Sequence, residues 1–360
     1  MKTFLTIFCC CLIINGNSQQ VNPVSSLSKE TGLLLRDDAT RMLIQNSSGD
    51  RAYDYVRQIS MWDRSGYEQN YNDAANWVKT KAGEFGLGEV TIENSPAEDG
   101  AWIVKKGELS AVAPYLFKIT SYDDLPMSLA MNSASIDTTA ELVDVGNGLA
   151  ESDYEGKDVK NKIVLTNQSP SAVARIAMVK KGAIGVVSSY SVPYWDFPNR
   201  LPGDFPDQVG WSGIYLPNDQ KAFAFMISER KLRELRSILD RKEKILLKVS
   251  IETEKKPGSI KIVSGIIKGS QFPEEEIIIT AHLDHYKPGA NDNASGCSVA
   301  LEMARTLNYL ISTKQIPPPL RTIRFLWLPE FSGTVAWFGL HVNDNKKRIV
   351  NLNFDMLGAN

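Results

Sequence analysis

The sequence predicts an α/β protein, and three observations carry the prediction. From residue 259 onward, short apolar strands alternate with helices, the order of a sheet covered by helices. Residues 162–187 repeat that order on a smaller scale as strand, helix, strand. No repeat with a period of roughly 20–50 residues recurs along the chain, which removes solenoids and propellers. With 360 residues, two or three domains are expected.

Composition narrows the classes further. Lys plus Arg is 40 and Asp plus Glu is 42, so the basic excess that phosphate binding needs is missing and nucleic acid is not an expected partner. A hydrophobic share of 43% and a charged share of 23% are those of a folded chain. Lys2 precedes an apolar run over residues 4–14 that is too short to span a bilayer, and Gly16 and Ser18 follow at signal-peptidase spacing. Residues 1–18 therefore read as a signal peptide of a secreted or periplasmic protein, with no integral membrane segment once it is removed. Cys9, Cys10 and Cys11 lie inside that run, so the mature chain keeps Cys297 alone and does not rely on disulfides.

Periodicity predicts the elements in order. A helix over 71–85 places Tyr71, Ala74, Ala75, Val78, Ala82 and Phe85 on one face, with Gly86 and Gly88 stopping it before a strand at 90–92. Residues 134–254 read as a separate unit. In it a strand at 162–166 leads to a helix at 171–181 with Val173, Ile176, Ala177 and Lys180 on one face, Gly182 as its stop, and a strand at 183–187. Ser228 caps a helix at 229–239, and a strand at 244–251 closes the unit. A loop over 191–213 carries Pro193, Pro198, Pro202 and Pro206 among Tyr194, Trp195, Phe197, Phe205 and Trp211, and either lines a cleft or packs over its own domain. Residues 254–258 look like a linker. Beyond it come adjacent strands at 262–268 and 276–281, a helix at 296–310 with Val299, Ala300, Met303, Leu307 and Leu310 inward, and strands at 322–328 and 349–354.

Chemistry collects just past those last strands. His282 and Asp284 follow one strand, Asp292 lies in the next loop, Glu330 follows a second strand and Asp355 a third. Ligand sites in open α/β sheets form at such carboxyl ends. A mixed set of imidazole and carboxylates suits a zinc ion, and a carboxylate beside a ligand histidine, as Asp284 is to His282, fixes its tautomer. There is no His-Glu-x-x-His helix, no Gly-x-Ser-x-Gly elbow and no Walker A loop, and Gly146-Asn147-Gly148 reads as a turn. Cys297 opens a helix, where a lowered pKa is one reading and a small packed side chain the other.

The stretch "IIITAHLDHYKPGANDNASGCSVALEMAR", with "RTIRFLWLPEFSGT" and "NLNFDMLG", resembles the secreted two-zinc aminopeptidases whose relatives include plasma glutamate carboxypeptidase. "ELVDVGNGLAESDYEGKDVKNKIVLT" followed by "KKGAIGVV" is similar to the protease-associated domain that several members carry. The resemblance implies a mixed-sheet, three-layer α/β/α zinc exopeptidase core with an inserted β-rich protease-associated domain. Residues 19–133 would then begin the peptidase domain, 134–254 form the insertion, and 255–360 supply the catalytic remainder. It also implies that His282 binds one zinc, Asp292 bridges two, Asp355 completes the first zinc's protein ligands, and Asp284 orients His282.

Two departures stand beside these matches. The family follows its central strand with two adjacent glutamates, a base and a ligand, whereas this chain has Pro329, Glu330 and Phe331, so Glu330 is base or metal ligand. The family's last zinc ligand is a histidine well beyond the equivalent of Asp355. The chain is therefore expected to be a fragment with an exposed sheet edge, and His341, on a helix after Glu330, to be structural. The implied activity is hydrolysis of peptide substrates by zinc-activated water, as an aminopeptidase first and a carboxypeptidase or dipeptidase second. The rival is a metal-free binding or receptor-like protein, against which stands the crowding of His282, Asp284, Asp292 and Asp355, costly without a cation.

Overall fold

The computed structural model describes residues 37–66, 69–191, 204–217 and 220–358. The signal segment expected at 1–18, and Trp195 with its neighbours in the aromatic loop, lie outside the described residues. Three helices come first: α1 (Asp37–Asn46), α2 (Gly49–Ile59) and α3 (Gln69–Glu84). The Ser48 hydroxyl caps α2 by accepting from the Arg51 N–H at 3.2 Å. The face predicted for α3 is the one it buries: Tyr71, Ala74, Ala75, Val78 and Ala82 are all inside.

Next, β1 (Gly88–Ala113) and β2 (Phe117–Ser121) form a hairpin, followed by β3 (Ile136–Asp144), β4 (Ile163–Thr166), α4 (Pro170–Ala177), β5 (Gly185–Ser188), β6 (Ala224–Met226) and α5 (Glu229–Asp240). The predicted helix at 171–181 ends sooner, because Val179 and Lys181 bond back to Ala174 and Ile176 in wider turns before Gly182 at φ +75°. Lys180 consequently points outward to Glu151 at 2.9 Å instead of sharing the buried face. Ser228 caps α5 as expected, accepting from the Lys231 N–H.

The largest departure is β7 (Leu246–Ile267), a single strand of 22 residues where two strands and a linker were expected. It pairs antiparallel with β1 from Gly88 opposite Ile266 to Ala113 opposite Leu246. Residues 254–258 are strand, not linker. Their polar, exposed character is that of a two-stranded ribbon wet on both faces, and cross-strand pairs such as Lys105 with Glu254 at 2.6 Å line it. The remaining elements are β8 (Phe272–His282), α6 (Gly296–Ser312), β9 (Arg321–Leu328), α7 (Glu330–Leu340) and β10 (Lys347–Asn353).

The strands join in the order β10-β8-β9-β7-β3-β4-β5-β6, with β1 on β7 and β2 on β1. β9 therefore separates β7 from β8, which the sequence had set side by side. The sheet is mixed: β10, β8 and β9 are parallel, β7 is antiparallel to both β9 and β3, and β3 to β6 are parallel. On one face of its first half α2, α3 and α6 pack against Val263, Ile279, Ala281, Phe325 and Trp327. Trp337 of α7 covers Ile260, Ile262, Ile278, Leu326 and Leu328 in a second cluster, which completes three layers. The inward side of α6 is Cys297, Ala300, Leu301, Ala304 and Leu310, with Val299, Met303 and Leu307 of the predicted stripe half-buried.

A further core gathers Leu109, Ala111, Ile119, Leu129, Leu142, Phe223 and Phe225 under Leu232, Leu235 and Ile238 of α5. It reaches back well before residue 134, because the end of β1 and β2 pack into it with β3, while the start of β1 lies against α3. At the opposite end β10 pairs with β8 alone among the described residues, and Ile349, Val350 and Leu352 are exposed, as the expected sheet edge requires.

Candidate metal centre

Because β8, β9 and β10 run parallel, the residues that follow them emerge on one side of the sheet. His282 is the last residue of β8 and only 5% exposed. Its Nε2 lies 3.1 Å from Asp292 Oδ1 and 3.4 Å from Asp355 Oδ1. On the other side of the ring, Nδ1 sits 3.0 Å from the Asp284 carbonyl and 3.3 Å from the Asp284 carboxylate. With Nδ1 turned to Asp284, Nε2 faces the two aspartates.

Asp292 arrives on the kinked turn Ala290–Ser295 that leads into α6, and Asn293 stitches that turn to the segment carrying Asp355. The Asn293 amide donates to the Phe354 carbonyl at 2.8 Å, while its Oδ1 accepts from the Gly296 and Met356 N–H groups. Gly296 has to be glycine, since a Cβ there would run into the Phe354 carbonyl oxygen. Ser295 adds a third tie by accepting from the Leu357 N–H at 2.9 Å.

Charge crowding dominates the electrostatics. Burial by itself would lower the pKa of His282, but the carboxylates of Asp284, Asp292 and Asp355 gathered around the ring hold it well above the ordinary imidazole range. Asp292 is pushed up by burial, yet the His282 hydrogen bond and the charge of His285 leave it below the usual carboxylate value. Glu330 is raised, by burial first and then by Asp284, Asp355 and Asp292, with His282 opposing. The Oδ1 of Asp355 is buried with no hydrogen-bond donor. His282, Asp292 and Asp355 each offer a ligand atom, and these atoms lie within 4.8 Å of one another. One nitrogen and two carboxylate oxygens at that spacing, one oxygen lacking any donor, are a donor set that fits a divalent cation such as zinc.

Of the residues singled out from sequence, the fold thus brings together His282, Asp292 and Asp355, with Asp284 behind the ring. Glu330, at the start of α7, donates its backbone N–H to Asp284 Oδ1 at 2.8 Å, and its side chain stands outside the trio. His341 caps the far end of α7 between Glu93, at 2.6 Å, and Asp344, at 3.0 Å. Cys297 is fully buried, its thiol donating to the His282 carbonyl at 3.1 Å and pushed by burial up to about 12. The sequence reading missed Asn293, Arg64 and the approach of His285 Nε2 to Asp292 Oδ2 at 3.5 Å. Asn293 stood inside the quoted stretch "IIITAHLDHYKPGANDNASGCSVALEMAR", and that was its only signal.

Residues 263–360 match the family model described as peptidase family M28. The matched residues carry every member of the trio. Among curated proteins, the chain is 29% identical to aminopeptidase YwaD of Bacillus subtilis (strain 168) over 197 residues, 50% of this chain and 40% of that one. It therefore spans about two fifths of the length of that relative. Among solved structures, BSAP, a zinc aminopeptidase from Bacillus subtilis, superposes with a TM-score of 0.61 at 22% identity, covering 86% of this chain and 69% of that one. A peptidase M28 precursor from Shewanella amazonensis SB2B gives 0.62 at 18% identity over 87% and 72%. The mixed α/β sheet is the fold of these proteins.

Proposed function

We propose that this protein is a zinc-dependent exopeptidase that cleaves residues from the free amino end of peptides. One observation carries the reading: His282, Asp292 and Asp355 converge from three separate points of the chain, and the innermost Asp355 oxygen has no donor. Carboxylates crowded around one imidazole repel each other unless a cation or protons intervene. His282, Asp292 and Asp355 would hold one zinc ion. Asp292, whose second oxygen faces His285, is the candidate bridge to a second ion. Zinc held there supplies a water of lowered pKa and a polarised carbonyl.

The chain's own groups do the rest. Asp284 holds the His282 ring with Nε2 turned to the aspartates, and its carboxylate also holds the start of α7 through the Glu330 N–H. The raised carboxyl of Glu330 is suited to taking a proton from water, and the same residue is the remaining candidate ligand for a second ion. The family match and the aminopeptidase relatives support the choice of the amino end over a carboxypeptidase or dipeptidase. The half built on β2 to α5 fits a protease-associated insertion, and residues 1–18 fit an export signal of a secreted or periplasmic enzyme.

Elemental analysis of the full-length protein, alongside Asp292→Ala, tests this. About two zinc ions per chain that vanish in the variant, with release of amino-terminal residues from peptides, is the expected result. No zinc at neutral pH with zinc supplied would overturn the proposal in favour of a metal-free binding protein.

A further inference from the structure

Arg64 stands in the short segment between α2 and α3, distant in sequence from every residue of the trio, and is completely buried. We propose that Arg64 is a positioning residue for the metal site: its guanidinium clamps residues 283–289 to the end of α2 and so sets His282, Asp284 and Asp292 for the cation. The proposal rests on the zinc reading above.

Its hydrogen bonds trace the clamp. Nε–H donates to the Leu283 carbonyl at 2.7 Å, Nη1 to Ile59 at 2.7 Å, Trp62 at 3.1 Å and Pro288 at 3.4 Å, and Nη2 to Gly289 at 3.0 Å. The backbone N–H of Arg64 adds the His285 carbonyl at 2.8 Å. Leu283 and His285 flank Asp284, and Gly289 opens the turn that bears Asp292. Every side-chain acceptor among these is a backbone carbonyl. A buried cation with no carboxylate in its hydrogen-bond shell is costly to desolvate, and a methionine in its place would leave those carbonyls without its donors. What the guanidinium adds is a flat fork of five donors, which the three donors of a lysine ammonium, clustered on one atom, do not reproduce.

Gly289 supports the same role. It sits at φ +49°, and a Cβ on it would lie 2.7 Å from Arg64 Nη2 and 2.7 Å from the Asp292 carbonyl oxygen. The loop thus lacks a side chain at the place where the guanidinium approaches the turn of Asp292.

Arg64→Lys and Arg64→Met in the full-length protein test the clamp. Zinc affinity is read by competition with a chromophoric chelator, and the fold by circular dichroism and the thermal midpoint of the metal-free protein. Both variants are expected to bind zinc at least about tenfold more weakly, lysine giving no rescue despite its charge. A folded variant that binds zinc like the unmodified protein, even with a lowered midpoint, reduces Arg64 to a packing residue and overturns the proposal. If neither variant folds, Arg64→Gln, which keeps a planar group with two donors, replaces them: weakened zinc binding by the folded variant supports the clamp, and unchanged binding overturns it. If the unmodified protein itself binds no zinc, the peptidase reading falls and this inference with it, an outcome distinct from normal binding by both forms.

Discussion

Asp355 shows at the scale of one residue why the site asks for a cation. Its Oδ1 is buried without a donor, 3.4 Å from an imidazole that Asp292 and Asp284 also approach. In the metal-free protein those carboxylates raise the affinity of His282 for a proton. The sign follows: a raised histidine stabilises the fold fully below its ordinary value of 6.5 and loses that contribution as pH climbs through the folded value. Zinc must displace the same proton, whereas Asp292, held low, is already ionised. Apparent zinc affinity is therefore expected to rise by about tenfold per pH unit between pH 6 and 8, one proton released per ion. Chelator competition at three pH values measures it, and a flat profile would contradict a protonated His282. His282, Asp284, Asp292 and Asp355 were legible in the sequence because each stands just past a strand or in the loop after one. Arg64 and Asn293 were not, because their partners are mostly backbone groups, which leave no side-chain pattern to read.

At the scale of elements, the helices were the most legible, since a 3.6-residue period survives wherever one face is buried, as in α3. β7 was misread for the complementary reason. Its ends are apolar and its middle polar, so composition alone divided one strand into strand, linker and strand. Only pairing with β1, a nonlocal fact, makes it continuous. The central strands hide another nonlocal feature. Glu276, fully buried on β8, meets Arg324 of β9 through three contacts of 2.7–3.1 Å, and Ser264 of β7 accepts from Arg324 Nη1 at 2.8 Å. Removing one partner leaves an uncompensated buried charge, so Glu276→Ala is expected to lose about 3–5 kcal/mol of stability. Replacing both with methionines should lose far less. Urea denaturation of the two variants decides it, and equal losses would show that shape, not charge, sets the penalty.

On the scale of the whole molecule, β7 is, among the described residues, the one strand bonded to both halves of the sheet: Val263 to Ile267 pair with β9, and Leu246 to Ile251 with β3. A second tie runs from Tyr122, just after β2, whose hydroxyl donates to Asp63 at 2.5 Å, while Asp63 accepts from the Lys287 N–H beside the metal loop. Two cores built on a shared strand should not unfold independently. Leu247 lies fully buried in the second core, and truncating it to alanine should destabilise that core by about 2–5 kcal/mol. Cys297 reports on the other core, being buried there with its thiol held protonated, and in protein lacking residues 1–18 it is the sole cysteine. Leu247→Ala is therefore expected to shift the urea midpoint for Cys297 labelling as far as it shifts the circular dichroism midpoint. Labelling that keeps its original midpoint while the dichroism moves would mean that the ribbon joins two separately folding halves. The metal site would then gain no stability from the domain beside it.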